Sequence, residues 1–206
     1  MSSVSRLNGF TPVKHTTGAP YNGQANTYFT STGDSTVIMV GDLVKLQGNG
    51  RAASGVPTIT RCAAGDIPVG VVVGMGFTGM GDAQNVPPVT VLDVPGATYR
   101  AASTNRYVLV ADAPDLVLQA QLLTATTFST ADIGLNVSYD TAAGNTASGS
   151  SGMSVDMSTV TTTNTIPLKL VGFPNTPNNV LGDAFLNVYV EFNTHSKKTA
   201  TGTTGI

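Results

Sequence analysis

The chain has 206 residues and a formal net charge of −2 at pH 7, and charged residues make up only 11% of it. That fraction is less than half of what soluble domains usually carry, and the lack of a basic surplus predicts no direct contact with nucleic acid. Hydrophobic residues account for 41% and aromatic residues for 6%, with no tryptophan. The core must therefore be mainly aliphatic, which favours strands over helices.

Residues 1–33 are predicted to form an extended N-terminal arm. Turn signals occur at Asn8-Gly9, Gly18-Ala19-Pro20 and Asn22-Gly23. Four isolated aromatic residues accompany them: Phe10, Tyr21, Tyr28 and Phe29. Since an arm with so little periodicity cannot bury these rings by itself, we expect it to pack along its own domain or a neighbouring subunit. The four rings are the candidate contacts, and a disordered terminus is the alternative.

Residues 34–195 are predicted to form a β-domain. Short runs rich in β-branched residues follow one another between turns that contain Gly, Asp or Pro, a pattern typical of sandwiches and barrels. The predicted strands are residues 36–40, 43–46, 56–60, 69–73, 89–94, 106–111, 116–122, 133–139, 153–157, 166–173 and 186–192. Alternation is clearest in the last of them, where Leu186, Val188, Val190 and Phe192 share one face.

The fold class is therefore predicted as all-β: a sandwich or barrel, jelly-roll-like, of short antiparallel strands with little helix. Only the segment from Ser129 to Ile133 offers a cap and a single helical turn. The polar stretches 142–152 and 158–165 are predicted as surface loops, and residues 196–206 as a flexible tail. A division of the β-domain into two sub-lobes that meet near residues 123–132 is left open.

The sequence offers no catalytic, metal-binding or cofactor-binding motif. A hydrolase triad needs a nucleophile near an oriented histidine, but His15 lies in the arm and His195 just past the last predicted strand. With the single Cys62, two scattered histidines do not supply a zinc site. Many Asp residues stand beside Gly or Pro, where Asp is a turn former. We expect a non-enzymatic protein without a cofactor.

Several segments resemble virion proteins that tailed bacteriophages encode near their major capsid protein. The sequences GFTPVKH at 9–15 and GAPYNG at 18–23 are similar to the opening arm of these proteins. The likeness continues in order through residues 40–46, 55–61, 65–66, 69–74, 107–112, 114–115 and 132–136. On these segments the chain resembles the capsid cement, or decoration, proteins.

This resemblance implies a β-rich protein on the outer surface of the phage head, bound at junctions between major capsid proteins and stabilising the shell. It also implies a homo-oligomer, a dimer or trimer, that is synthesised in the host cytoplasm and ends in the virion. The arm aromatics then become candidate subunit or capsid contacts. A polar surface with few charges suits this role, because neutral hydrogen-bonding groups cost less to desolvate than charges.

Other classes stay open. Another virion component, such as a major capsid, tail or head-fibre protein, is the first alternative, although a major capsid protein would normally show a long helix and a longer chain. A carbohydrate-binding β-sandwich would present exposed Trp or Tyr platforms, and the absence of Trp argues against it. A fimbrial or surface-layer subunit should begin with a signal peptide, and neither that nor an apolar run of membrane-spanning length is present, so no membrane contact is expected.

Overall fold

The computed structural model of the protein describes residues 5–50, 55–76, 98–123, 128–198 and 201–205, with the backbone alone at Asn49. Over these residues the regular secondary structure is strand apart from one 3-10 turn, which confirms the predicted all-β class. The strands are β1 (Thr11–His15), β2 (Asn26–Thr30), β3 (Ile38–Met39), β4 (Leu43–Gly50), β5 (Pro57–Arg61), β6 (Gly70–Met75), β7 (Tyr99–Arg100), β8 (Arg106–Ala111), β9 (Leu116–Gln121), β10 (Asn136–Asp140), β11 (Ser154–Thr161), β12 (Leu168–Gly172) and β13 (Asn187–Phe192). The predicted strand at 89–94 lies outside the described residues.

Five strands close into a barrel in the order β2-β5-β4-β6-β8. All neighbours are antiparallel except β2 and β5, whose parallel contact at Phe29 and Thr58 completes the ring. One group of buried aliphatic and aromatic residues packs among these strands and the adjoining β3: Tyr28, Ile38, Val44, Ile59, Val69, Val72, Met75, Val108 and Val110. Closure removes the exposed edges that an open sheet of these strands would present.

The remaining long strands form a six-stranded antiparallel sheet in the order β1-β9-β13-β12-β10-β11. The predicted alternation in β13 is confirmed, because Val188, Val190 and Phe192 are buried while Tyr189 and Glu191 stay partly exposed. The sheet's buried face packs on the outside of the barrel through one continuous cluster, to which the barrel contributes Leu43, Cys62, Val71 and Ala111. Burying both surfaces in one core joins the barrel and the sheet.

The described part of the arm, residues 5–33, is extended and packs along its own chain. It supplies β1, which pairs with β9 at the edge of the sheet, and β2, which completes the barrel. The chain changes from barrel to sheet between β8 and β9. The predicted meeting point of two sub-lobes, near residues 123–132, falls partly outside the described residues.

The polar connections contain more structure than their composition suggested. The segment 158–165, predicted as a loop, supplies the second half of β11. The single helical turn is confirmed as a 3-10 turn, Thr130–Asp132, in which the Asp132 carboxylate accepts the backbone N–H of Ser129 at 2.7 Å. No helix in the described ranges has the length and apolar character needed to cross a membrane.

Two buried arginines hold the loops around the barrel. The Arg100 side chain is fully buried and donates to the backbone carbonyls of Ser31 at 2.6 Å, Asp34 at 2.7 Å and Thr104 at 3.0 Å. Burial lowers its pKa, and the nearby Asp34 carboxylate opposes that shift. Arg106 serves the same purpose, donating to the Gly76 carbonyl at 3.1 Å. Carbonyl oxygens thus satisfy buried guanidinium groups that would be costly to leave unpaired.

Candidate functional site

A cleft of about 430 Å³ opens between the rim of the barrel and the connection from β10 to β11. The barrel side contributes Thr36, Val37, Met39, Asp42, Arg61, Cys62 and Ala63, and the facing wall contributes Thr141, Ala143, Gly144 and Thr146. Its exposed lining is mostly apolar. A concave, mainly apolar site with a few polar groups is the usual form of a binding pocket.

An ion pair lies at the base of the cleft. The Asp42 side chain is buried, and its Oδ1 accepts from Arg61 Nε at 3.1 Å and from the Ser151 hydroxyl at 2.6 Å. Its Oδ2 accepts the backbone N–H of Met39, three residues earlier in the chain, at 2.8 Å. Burial raises the pKa of Asp42, whereas Arg61, Ser151 and Met39 act to lower it. The pair leaves the base of the cleft electrically neutral.

The same arginine fixes the two walls relative to each other. Beyond its contact with Asp42, the Arg61 guanidinium donates to the carbonyl oxygens of Thr141 at 3.0 Å and Ala142 at 2.6 Å. A β-bridge between Val40 and Ser150 joins the walls at a second place. These contacts preform the opening, so a ligand would pay little conformational entropy to shape it.

Cys62 lines the cleft but is not an activated thiol. Its side chain is buried and unpaired with any other cysteine, and burial is the main cause that raises its pKa to about 12. At neutral pH the thiol therefore stays protonated, whereas the nucleophilic form is the thiolate. Near Cys62, the Tyr139 hydroxyl lies within hydrogen-bond distance of the Ala63 and Asp66 carbonyl oxygens, at 3.1 and 2.8 Å. The arrangement suits binding of an apolar group better than proton transfer or nucleophilic attack.

A second polar cluster joins the C-terminal segment to the barrel. The buried Asp112 carboxylate accepts from the Tyr28 hydroxyl at 2.5 Å and from Asn26 Nδ2 at 2.9 Å, and it pairs with the Lys197 ammonium. Burial acts to raise the pKa of Asp112, but the hydrogen bonds from Lys197, Tyr28 and Asn26 outweigh it and the pKa is lowered. The Asp112 carboxylate is therefore ionised and anchors the segment that carries Lys197.

His195 is buried where this segment leaves β13. Its ring lies 4.9 Å from that of Phe192, and its Nδ1 accepts the Lys197 backbone N–H at 3.0 Å. Burial is the main cause that lowers its pKa to about 4, so the imidazole is neutral at pH 7. The next residue, Ser196, donates its backbone N–H to the Pro68 carbonyl at 3.0 Å. Residues 195–197 thus hold the sheet against the barrel, which differs from the flexible tail expected from 196 onward.

The four arm aromatics do not form a common surface. Phe10 is buried, with its ring edge-on to Tyr139 at 6.4 Å. Tyr28 and Phe29 are buried in the barrel strand β2. Tyr21 is half-buried and donates its hydroxyl to the Gln24 carbonyl at 2.9 Å. Phe10, Tyr28 and Phe29 thus pack within their own chain, which is one of the two arrangements expected for the arm. Whether any of the four contacts another protein stays a prediction.

Sequence reasoning missed the cleft for a clear reason. Asp42 and Arg61 come together because β4 and β5 pair antiparallel, with Val44 opposite Arg61. The facing wall is formed by residues 141–146, which are distant in sequence from the barrel rim. No local sequence pattern predicts that these two segments lie against each other. Among the described residues, no group of three or more His, Cys, Asp or Glu side chains is arranged to hold a metal ion.

Comparison with known proteins adds no relative. No protein-family model matches the chain, and neither the curated proteins nor the solved structures contain a significant match.

Proposed function

We propose that this protein is a non-enzymatic structural component of a tailed-phage virion, a cement protein that binds the outer capsid surface at junctions between major capsid proteins. The observation that carries the proposal is the character of its exposed loops. They are built from Thr, Asn, Ser and Gly, and their own hydrogen bonds hold them in shape. In the β10–β11 connection, for example, Asn145 and Ser150 form a bridge, and the Asn145 side chain accepts the Ala147 backbone N–H at 2.9 Å.

Such loops suit a clamp on a shell. Neutral hydrogen-bonding groups lose less hydration free energy than charges when they are buried in an interface. Loops that are ordered beforehand lose less conformational entropy on binding. Each contact is repeated over the many copies of the lattice, so individually weak interfaces add up to a stable attachment when several are engaged at once.

The test is binding to capsids that lack the protein. Purified protein is added to such capsids, and bound copies, heat resistance and resistance to osmotic shock are measured. Binding at stoichiometric copy number, with DNA released at a higher temperature, is the expected result, because a ligand of the assembled shell stabilises it by mass action. Because the loops carry few charges, binding should change little between low and high salt.

Failure of capsids to bind the protein would overturn the cement role. The same preparation would then be tested on tails, on head fibres and on glycans, which correspond to the alternatives that the sequence left open. Binding that collapses at high salt would contradict the physical argument from uncharged loops, even if some protein attached.

A further inference from the structure

Residues 195–198, called here the C-terminal latch, cross from the end of β13 to the barrel. On the barrel side, the Ser196 backbone N–H donates to the Pro68 carbonyl at 3.0 Å, and the Lys197 ammonium pairs with the Asp112 carboxylate. All residues of the latch except the first are exposed. A segment with so few buried contacts opens at a lower free energy than the sheet to which it is attached.

The first residue of the latch, His195, carries an imidazole that is buried to within 1% of its surface. Its Nδ1 accepts the Lys197 backbone N–H at 3.0 Å, so the single proton of the neutral ring is on Nε2, which is also buried. A second proton has to bind at Nδ1. Both ring nitrogens are then donors, and the Nδ1–H faces the Lys197 N–H without an acceptor between them. Protonation of the ring is therefore incompatible with the closed latch.

The surroundings of the ring give a second proton little stabilisation. The charged groups that act on it are Lys197 and Lys198 of the latch and Asp112, which follows the barrel strand β8. The two lysines oppose a further positive charge, and the Asp112 carboxylate is already paired with Lys197. The other surfaces packed against the ring, Phe192 and residues 67–69, carry no charge. A protonated imidazole is therefore better accommodated in water than in the closed latch.

We propose that protonation of His195 opens the C-terminal latch in acid while the barrel and the sheet stay folded. Once the ring turns outward, residues 196–198 lose their contacts with the barrel. The fixed part of the chain then ends at Thr194, which is fully buried and donates its backbone N–H to the Pro167 carbonyl at 3.2 Å. The closed form covers the Asp112 carboxylate with an ammonium group, whereas the open form presents both charges to solvent. This switch does not depend on what the protein binds.

Hydrogen exchange of single amides, followed by NMR at low urea concentrations, tests the proposal on the wild-type protein. The amides of Ser196 and Lys197 should exchange at rates that do not depend on urea, because opening the latch exposes little surface. The matched control is the Leu170 amide, which is bonded to the Leu135 carbonyl at 2.9 Å within the sheet and should exchange faster as urea is added.

The same amides report the effect of pH. The protection factor corrects for the intrinsic pH dependence of exchange, and for Ser196 and Lys197 it should fall about 20-fold between pH 6 and pH 4.5. This value follows from a pKa of His195 that is about 4 in the closed latch and 6.5 in an exposed ring. Asp112, whose pKa is lowered from 3.8, stays ionised over this interval.

Three variants separate His195 from its neighbours. His195→Asn keeps an acceptor near the position of Nδ1 but does not bind a proton, so the protection of Ser196 should no longer change between the two pH values. Lys197→Met removes the ion pair with Asp112 and should lower that protection several-fold at both pH values. Lys198→Met, at the next exposed lysine, is the matched control and should leave it nearly unchanged.

Three results would overturn the proposal. The first is exchange of Ser196 and Lys197 with the same urea dependence as Leu170, because the latch would then open only with the whole fold. The second is equal protection at pH 6 and pH 4.5. The third is protection that still falls with acid in His195→Asn. The first two are measured on the wild-type protein, so the proposal can be refuted even if His195→Asn does not fold.

Discussion

His195 couples the stability of the fold to pH. The imidazole is buried against Phe192, its Nδ1 accepts the Lys197 N–H, and Asp112, Lys197 and Lys198 are the charged groups that act on it. Its pKa falls from 6.5 to about 4 in the folded chain, mainly through burial. Between these two values the unfolded state binds more protons than the folded state, so stability decreases as pH falls through this window.

We expect the free energy of unfolding to fall by about 2 kcal/mol from pH 6.5 to pH 4 on account of this residue, after allowing for solvent screening of the neighbouring charges. His195→Asn, which keeps an acceptor near the position of Nδ1, should flatten the profile over that range. The wild-type protein, measured in parallel, is the reference for this slope. Urea denaturation at successive pH values measures both.

Asp112 affects stability in a different pH range. Its pKa is lowered from 3.8 by its partners, so its contribution is complete above that value and is lost only as pH falls further. A slope that appeared below pH 3.8 alone would assign the acid sensitivity to Asp112 and contradict the role given to His195.

At the scale of the element, the arm is positioned by a close approach of two glycines. Gly9 has a φ of +72°, and a Cβ placed there would overlap the Gly41 carbonyl oxygen and the Ser151 Cβ. The next residue, Phe10, donates its N–H to that same carbonyl at 2.9 Å and is buried in the core. The arm can enter the sheet here only because no side chain stands between the two backbones.

Gly9→Ala should therefore destabilise the protein more than strain alone would. Gly23 is the matched control, because its φ of +85° imposes the same kind of backbone strain while nothing lies within 4 Å of an added Cβ. We expect a cost of about 1 kcal/mol for Gly23→Ala and at least about 3 kcal/mol for Gly9→Ala, since the latter adds overlap with backbone. Thermal or urea unfolding compares the two; equal losses would show that the approach of Gly41 imposes no constraint.

The elements differ in how far sequence predicts them. In β13 one face meets the core, so alternation marks it clearly and the prediction is confirmed. In β2 the residues Tyr28, Phe29 and Thr30 are all buried, because the strand closes the barrel, and no alternation remains to be read. The cleft depends on contacts between distant segments, such as Arg61 with Thr141, and pattern analysis has no means to find these.

At the scale of the whole molecule, both ends of the chain hold the barrel and the sheet together. β1 completes one edge of the sheet and β2 completes the barrel, while residues 195–197 return from the sheet to the barrel. The described part of the arm is therefore an integral part of the fold. A variant that lacks it must be tested for folding before a change in its capsid binding can be interpreted.

Deleting residues 1–30 should abolish cooperative folding. Without β2 the barrel loses its closing strand between β5 and β8, and without Phe10 the core of the sheet loses a fully buried ring. Each loss alone is expected to cost several kcal/mol, which is comparable to the whole stability of a typical domain. Deleting residues 1–5 is the control, because it leaves Arg6, whose backbone N–H donates to Gln121 at 2.7 Å, and both strands. Near-ultraviolet circular dichroism and urea unfolding distinguish the outcomes.

A truncated protein that kept the wild-type unfolding midpoint would mean that the arm is separable, and the buried positions of Phe10, Tyr28 and Phe29 would then be unimportant for folding. If folding is lost as expected, weaker capsid binding by this truncation reports only on stability. A contact made by the arm must then be sought at Tyr21, the one half-buried ring of the four. Because Tyr21 packs against the core cluster, the unfolding midpoint of Tyr21→Ser is measured before its capsid binding is compared with that of the wild type. Unchanged binding by that variant would remove the arm aromatics from the interface.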